Sequence, residues 1–144
     1  LIRVGWVQNE YSLLRRETER EVLPLCASEG LGFTPFSPLS GGWLTGKYRR
    51  SEAFPGDSRM ALRGGPYSDL VNERTFDGLE RFQAAAAERG VTPAELAIAW
   101  VASHPQVTSV IVGPRTPEQL DAALIGVEIR LSQDERDELA GLFA

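Results

Sequence analysis

Residues 109–120 read SVIVGPRTPEQL, a β-branched apolar run that stops at Gly113 and resumes as a helix start at Thr116. Val110, Ile111 and Val112 suit a parallel strand buried on both faces, because β-branched side chains pack well on a doubly covered pleated surface. Gly113 and Pro114 break the strand. Thr116-Pro117-Glu118-Gln119 then supplies an N-cap, a proline at the first helical position and a glutamine three residues after the cap. The junction aims unpaired backbone N–H groups and Arg115 at one spot. A helix start carries partial positive charge, and a guanidinium adds a planar fork suited to phosphate. Two readings follow from these twelve residues: a bound anion, most naturally a phosphate, or a tight turn with a solvated arginine.

The rest of the chain has the composition of one globular domain, with 42% hydrophobic and 24% charged residues in 144. Fifteen basic against twenty acidic residues give a net charge of −5 without a long like-charge block, so neither nucleic acid nor an anionic membrane surface is an expected partner. Cys26 is the lone cysteine and His104 the lone histidine, so no metal cluster and no internal disulfide are expected, and a reducing, cytoplasmic setting is. No apolar stretch is long enough to span a bilayer, and LIRVGWVQNE (1–10) lacks the charged start and cleavage site of a signal peptide.

Periodicity and turn residues predict a strand over 2–7, with Gln8, Asn9, Glu10 and Tyr11 as its polar end and loop. A helix is expected over 17–28, with Val22, Leu25 and Cys26 on its buried face and Gly30 as its stop. A second strand covers 32–36. Residues 37–69, rich in Gly, Pro and Ser, form a long aperiodic loop of the kind that is usually functional or disordered. Helical spacing returns over 71–89, with a stripe of Phe76, Leu79, Phe82 and Ala86. A capping box at Thr92 and Glu95 opens an almost wholly apolar helix over 94–103. The third strand, 107–112, the helix after Thr116 and a terminal helix capped by Ser132 complete the chain.

Strands alternating with helices indicate parallel β/α architecture, in which sites lie at the carboxyl ends of the strands. Gln8 to Glu10, Ser37 to Gly42 and Gly113 to Thr116 all fall there. Three parallel strands alone leave two open edges and an uncovered apolar face, so the chain is expected to be part of a barrel. In (β/α)8 barrels a phosphate site is often built from the loops after the last two strands and a helix start. Arg115 and Thr116 fit that place if the third strand is the eighth.

At VQNEYSLL (7–14), PFSPLSGGWLTGKY (35–48) and IVGPRTPEQL (111–120) the chain resembles the aldo-keto reductases. That resemblance implies an α/β fold, the (β/α)8 TIM barrel, and NADP-dependent reduction of aldehydes or ketones. It spans essentially all 144 residues but only the carboxyl-terminal part of the barrel: about the last three β/α units, strands six to eight, plus a C-terminal helix, in one domain with a long loop at 37–69. Ser37-Pro38-Leu39 with Leu44-Thr45-Gly46-Lys47 places it nearest the branch that includes bacterial reductases and potassium-channel β subunits.

The resemblance also implies roles. Gln8 would hydrogen-bond the nicotinamide carboxamide, and Phe36 would stack on the ring where relatives often have tyrosine. Ser37, Leu39 and Gly41 would approach the pyrophosphate, with Lys47 and the long loop folding over it. Gly113, Arg115 and Thr116 would hold the 2′-phosphate of NADP, and Gln119 would reach the adenine end. Ala123 stands where the family often has an asparagine against the adenine, which implies weaker contact there.

The family's catalytic Asp, Tyr, Lys and His would precede Leu1, so no catalytic residue is expected in this chain. His104, near a helix end, suits a cap or dipole role. Adjacent Lys47 and Tyr48 need not converge on one proton, and Tyr11 and Tyr67 show no evident partner. Cys26, Trp6 and Trp100 read as core. Trp43 either lines a substrate pocket or pins the loop. The expected partners are a small carbonyl compound and either the barrel's first half or a second copy of the chain. A non-catalytic NADP-binding or regulatory module is the alternative function, and a barrel isomerase or lyase gripping a substrate phosphate through Arg115 is a third. Gln8 and the aromatic before Ser37-Pro38-Leu39 favour a nicotinamide.

Overall fold

A computed structural model describes residues 3–144. Strands β1 (Trp6–Glu10) and β2 (Gly32–Phe36) run parallel, with Trp6 opposite Gly32 and Glu10 opposite Phe36. β2 lies where its sequence predicts. β1 is shifted toward the carboxyl end of the expected 2–7, of which Leu1 and Ile2 next to and within it lie outside the described residues. Pairing decides this: the Gly32 N–H donates to the Gly5 carbonyl at the start of β2, so among the described residues the ladder with β2 begins at Trp6. Polar Gln8, Asn9 and Glu10 are therefore strand, not loop.

The expected third strand is not one. Residues 107–111 run beside β2 through a single parallel bridge, Val107 to Phe33. The Thr108 N–H donates to Phe33 O and the Ile111 N–H to Pro35 O, each at 2.9 Å. Two residues of β2 thus span three of the segment, which is a bulge. Pro35 has no N–H to return, and the Phe33 N–H is taken by Thr108 Oγ1 at 3.2 Å. Nor is the segment doubly buried, since Ile111 is 41% exposed.

The helix expected over 17–28 divides into a 3-10 turn, Glu17–Glu19, and helix α1, Val22–Glu29. Pro24 is the reason: it is tolerated in a first turn but not in the interior that an earlier start would create. The buried face is Leu23 and Cys26, while Leu25 is 52% exposed. Gly30 ends the helix in the left-handed conformation, as expected. The long loop contains a 3-10 stretch Ser40–Thr45, a short helix α2 (Arg59–Arg63) and a further 3-10 stretch Gly65–Leu70.

Helix α3 (Glu73–Glu88), capped by Asn72, buries Phe76, Leu79, Phe82 and Ala86. Helix α4 (Pro93–Ala102) opens on the Thr92/Glu95 capping box and buries every residue from Leu96 to Val101. Helix α5 (Pro117–Glu128) crosses α4 closely at Gly126, where a Cβ would lie 2.8 Å from both the Glu95 carbonyl oxygen and Ile98 Cβ. Helix α6 (Gln133–Gly141), with its own capping box at Ser132 and Glu135, completes the fold. Trp100 is core as expected, but Trp6 is 69% exposed: it lies on the sheet face that no described element covers. No helix among the described residues is long and apolar enough to cross a membrane.

Candidate cofactor site

Opposed residues of neighbouring strands project to the same side, and successive residues to opposite sides. Register therefore puts Trp6, Gln8 and Glu10 on one face with Gly32, Thr34 and Phe36. The other face sends Phe33 and Pro35 into the core. Gln8 is exposed and Phe36 is 36% exposed, so an amide and an aromatic ring share one open surface at the carboxyl end of the sheet. Glu10, which the sequence placed at the strand end without a role, shares it, and burial pushes its carboxyl above the ordinary range although Arg15 pulls the other way.

Directly after Phe36 the backbone turns through four left-handed residues, Ser37 (φ 55°), Ser40 (46°), Gly41 (65°) and Gly42 (98°). Serine pays a steric penalty there that glycine does not, and side chains hold the turn in place. Ser40 Oγ shares a buried 2.7 Å hydrogen bond with Ser12 Oγ, and Ser37 Oγ lies 3.4 Å from the Tyr67 hydroxyl. The Tyr67 ring fills the space a side chain at Gly41 would need, 2.5 Å from that Cβ position. The Tyr48 hydroxyl donates to Gly41 O at 3.1 Å. Tyr67 thus has partners that its local sequence did not reveal. Leu39, half-buried against the core, accepts the Gly42 N–H. Lys47 is exposed and folds back toward Gly42, its Nζ 5.2 Å from the Tyr48 ring centroid.

Trp43 has no exposed surface. Its ring packs against Tyr48, Phe54 and Phe76 at centroid distances of 5.1, 6.0 and 5.5 Å, contacts that pin the loop rather than face a pocket. Outside this cluster the loop is tied by charge. Arg50 binds Glu73, Asp77 and Glu80 along α3, and Arg15 binds Asp69 at 2.7 Å.

At the far junction Gly113, Arg115, Thr116 and Gln119 are all exposed. Thr116 caps α5 by accepting the Gln119 N–H at 3.4 Å. The Gln119 Oε1 closes the turn one residue earlier than a capping box does, accepting the Arg115 N–H at 2.9 Å. The Arg115 guanidinium reaches the long loop, with Nη1 donating to Asp57 O at 3.1 Å and Nη2 lying 3.6 Å from Asp57 Oδ2. Because Ile111 bonds to Pro35, the junction opens at the same sheet end as Phe36.

Behind this face lies a buried polar network that sequence reasoning missed. Tyr11 donates to Glu19 at 2.7 Å and accepts from Arg136 Nη2 at 2.8 Å. Arg136 also donates through Nε to Trp100 O at 3.0 Å and lies 4.5 Å from the Trp100 ring centroid. Burial alone would raise the Glu19 carboxyl, but hydrogen bonds from Arg16 and Tyr11 outweigh it and hold it low. The missing signal was sequence distance, since Tyr11 and Arg136 are 125 residues apart.

His104 borders this network. Its Nδ1 accepts the Gln106 N–H at 3.1 Å, a turn contact rather than the helix cap expected of it. Burial, reinforced by Arg136 and opposed by Glu19, holds its pKa below the ordinary 6.5. The unfolded chain then binds more protons in that window, so stability should fall as pH drops below about 6.5. Urea unfolding at pH 7.5 and 5.5 should show this loss, and His104→Gln should shrink it; an unchanged slope in the variant would assign the loss to other groups.

Two parallel strands backed by helices define a β/α protein. The chain belongs to the aldo/keto reductase family, whose family model matches residues 1–143. It is 42% identical over 127 residues to a probable voltage-gated potassium channel subunit beta of Arabidopsis thaliana, covering 85% of this chain and 38% of that one. The same identity over 127 residues relates it to the uncharacterized oxidoreductase YrpG of Bacillus subtilis, covering 88% and 36%. Versiconal hemiacetal acetate reductase of Aspergillus parasiticus is 34% identical over 146 residues, covering 93% and 40%. Both sides of the branch expected from the motifs are represented, and the chain spans 36–40% of the length of these three relatives.

Proposed function

We propose that this chain is the cofactor-binding portion, barrel strands six to eight, of an NADP-dependent oxidoreductase that reduces aldehydes or ketones in the cytoplasm. The observation that carries the reading is that Gln8 and Phe36 share one open sheet face, two residues apart in register, with Arg115 and the start of α5 opening at the same end. A nicotinamide dinucleotide matches that donor set: an amide and a ring face at one end, and a guanidinium, an unobstructed Gly113 and a helix start at the other. When bound, the cofactor supplies hydride to the carbonyl carbon. Gln8 fixes the carboxamide, Phe36 supports the ring face, and both hold the reactive carbon in place. Ser37, Leu39, Gly41 and Lys47 lie along the pyrophosphate; Gly113, Arg115 and Thr116 hold the 2′-phosphate, with Gln119 toward the adenine.

Neither His104 nor Tyr48 is set to give the carbonyl oxygen its proton. His104 faces Gln106, and the Tyr48 hydroxyl is buried against Gly41. That proton comes from elsewhere in the barrel, which also covers the exposed face of this segment; a second copy of the chain is the other candidate cover. The potassium-channel relatives favour one further reading, a regulatory module that binds the cofactor without turnover.

The test is fluorescence titration of the full-length protein. NADPH should bind more tightly than NADH, and Arg115→Ala should remove about 1.5–3 kcal/mol of NADPH binding, roughly ten- to 150-fold, with little effect on NADH. Equal affinities for the two cofactors would sink the assignment. Turnover with carbonyl compounds separates the reductase from the regulatory module.

A further inference from the structure

The loop residue that meets Arg115 is an acid. Asp57 engages the guanidinium twice, through its carbonyl oxygen at 3.1 Å from Nη1 and its carboxylate at 3.6 Å from Nη2. A phosphate gripped by the planar fork competes for Nη2, where the carboxylate sits. We propose that Asp57 competes with phosphate for Arg115 and thereby sets how strongly the protein distinguishes NADPH from NADH; this rests on Arg115 holding the 2′-phosphate.

Three further observations support an exchange of partners at Arg115. First, the contact is local. Ser58, the next residue, is 1% exposed; its N–H donates to Pro55 O at 2.8 Å and its Oγ caps α2. The Asp57 side chain is 84% exposed, and at Gly56 nothing lies within 4 Å of a Cβ position, so the carboxylate turns away without unseating the loop. Second, the arginine backbone stays put, because Gln119 Oε1 holds its N–H independently of the guanidinium. Third, a carboxylate and a phosphate at one cation repel each other, so a 2′-phosphate on Nη2 displaces the Asp57 carboxylate while the Asp57 carbonyl stays on Nη1. An exposed ion pair is a weak rival, which suits a contact that is surrendered to a doubly charged ligand yet attenuates its affinity.

The experiment uses the full-length protein and three probes: NADPH, NADH and adenosine 2′,5′-bisphosphate, which carries the 2′-phosphate without a nicotinamide. Asp57→Asn should tighten NADPH and the bisphosphate roughly two- to fivefold, leave NADH unchanged, and lose its effect in the Arg115→Ala background. Unchanged or weaker NADPH binding in Asp57→Asn would overturn the proposal. If the unmutated protein still prefers NADPH and Arg115→Ala abolishes that preference, the reading of Arg115 survives the failure. If Arg115→Ala leaves NADPH and the bisphosphate unaffected, both fail together.

Discussion

Residues 1–144 produced alone are expected to consume no NADPH with any aldehyde or ketone, and to associate instead of remaining monomeric. Positioning a cofactor without a proton donor leaves the developing alkoxide unprotonated, and His104 and Tyr48 are engaged elsewhere. The physical drive to associate is visible on the surface. Val4 and Trp6 are 62% and 69% exposed on and before β1, and Leu124 and Ile125 on α5 are 56% and 51% exposed. Residues 107–111 meet β2 on one side only. Exposed apolar patches and unpaired edges invite a cover. Sizing with light scattering and an NADPH-consumption assay on protein of confirmed mass test both halves; a stable monomer overturns the first, and robust turnover overturns the second.

Arg136→Ala should cost about 2–4 kcal/mol in the full-length protein, because it leaves buried acceptors without their donor and a cavity behind. Arg136 is 3% exposed. Its removal strips a donor from the Trp100 carbonyl and from the Tyr11 oxygen and empties the space beside the Trp100 ring. Arg136→Met should cost clearly less, because Met refills the volume and Glu19 keeps its contact with Arg16. Urea unfolding followed by intrinsic fluorescence measures both. Variants of equal stability would show that volume is irrelevant there and the polar bonds alone matter; an Arg136→Ala protein as stable as the parent would show that the network contributes nothing.

How much was legible depended on whether the determinant was local. Thr92 with Glu95, Ser132 with Glu135, and Thr116 before Pro117 announced their helices because a cap is decided within four residues. The stripe of α3 was equally plain, and so were the three motifs that place the chain in its family. The placement of β1 was not, because it depends on where β2 begins, and neither the sequence at 2–7 nor its apolar character states that. Residues 107–112 read as a strand from their β-branching, yet a missing Pro35 donor in a different segment interrupts the ladder. Within the site, Gln8 and Phe36 were named singly; that they share a face required the register. Trp43 and Tyr67 illustrate the same limit, since only the folded loop tells whether an aromatic ring meets solvent or another ring.

The bond between Tyr11 and Arg136 has a consequence for how the protein is made. At ribosomal rates of about 5–20 residues per second, the 125 residues between them take roughly 6–25 s to synthesise, and α6 must then clear the exit tunnel. Throughout that interval Tyr11 is held from one side by Glu19 alone, and Trp100, made 36 residues before Arg136, lacks the guanidinium that caps its ring for the last part of it. The first strand and its neighbouring helix are thus born before their last brace exists.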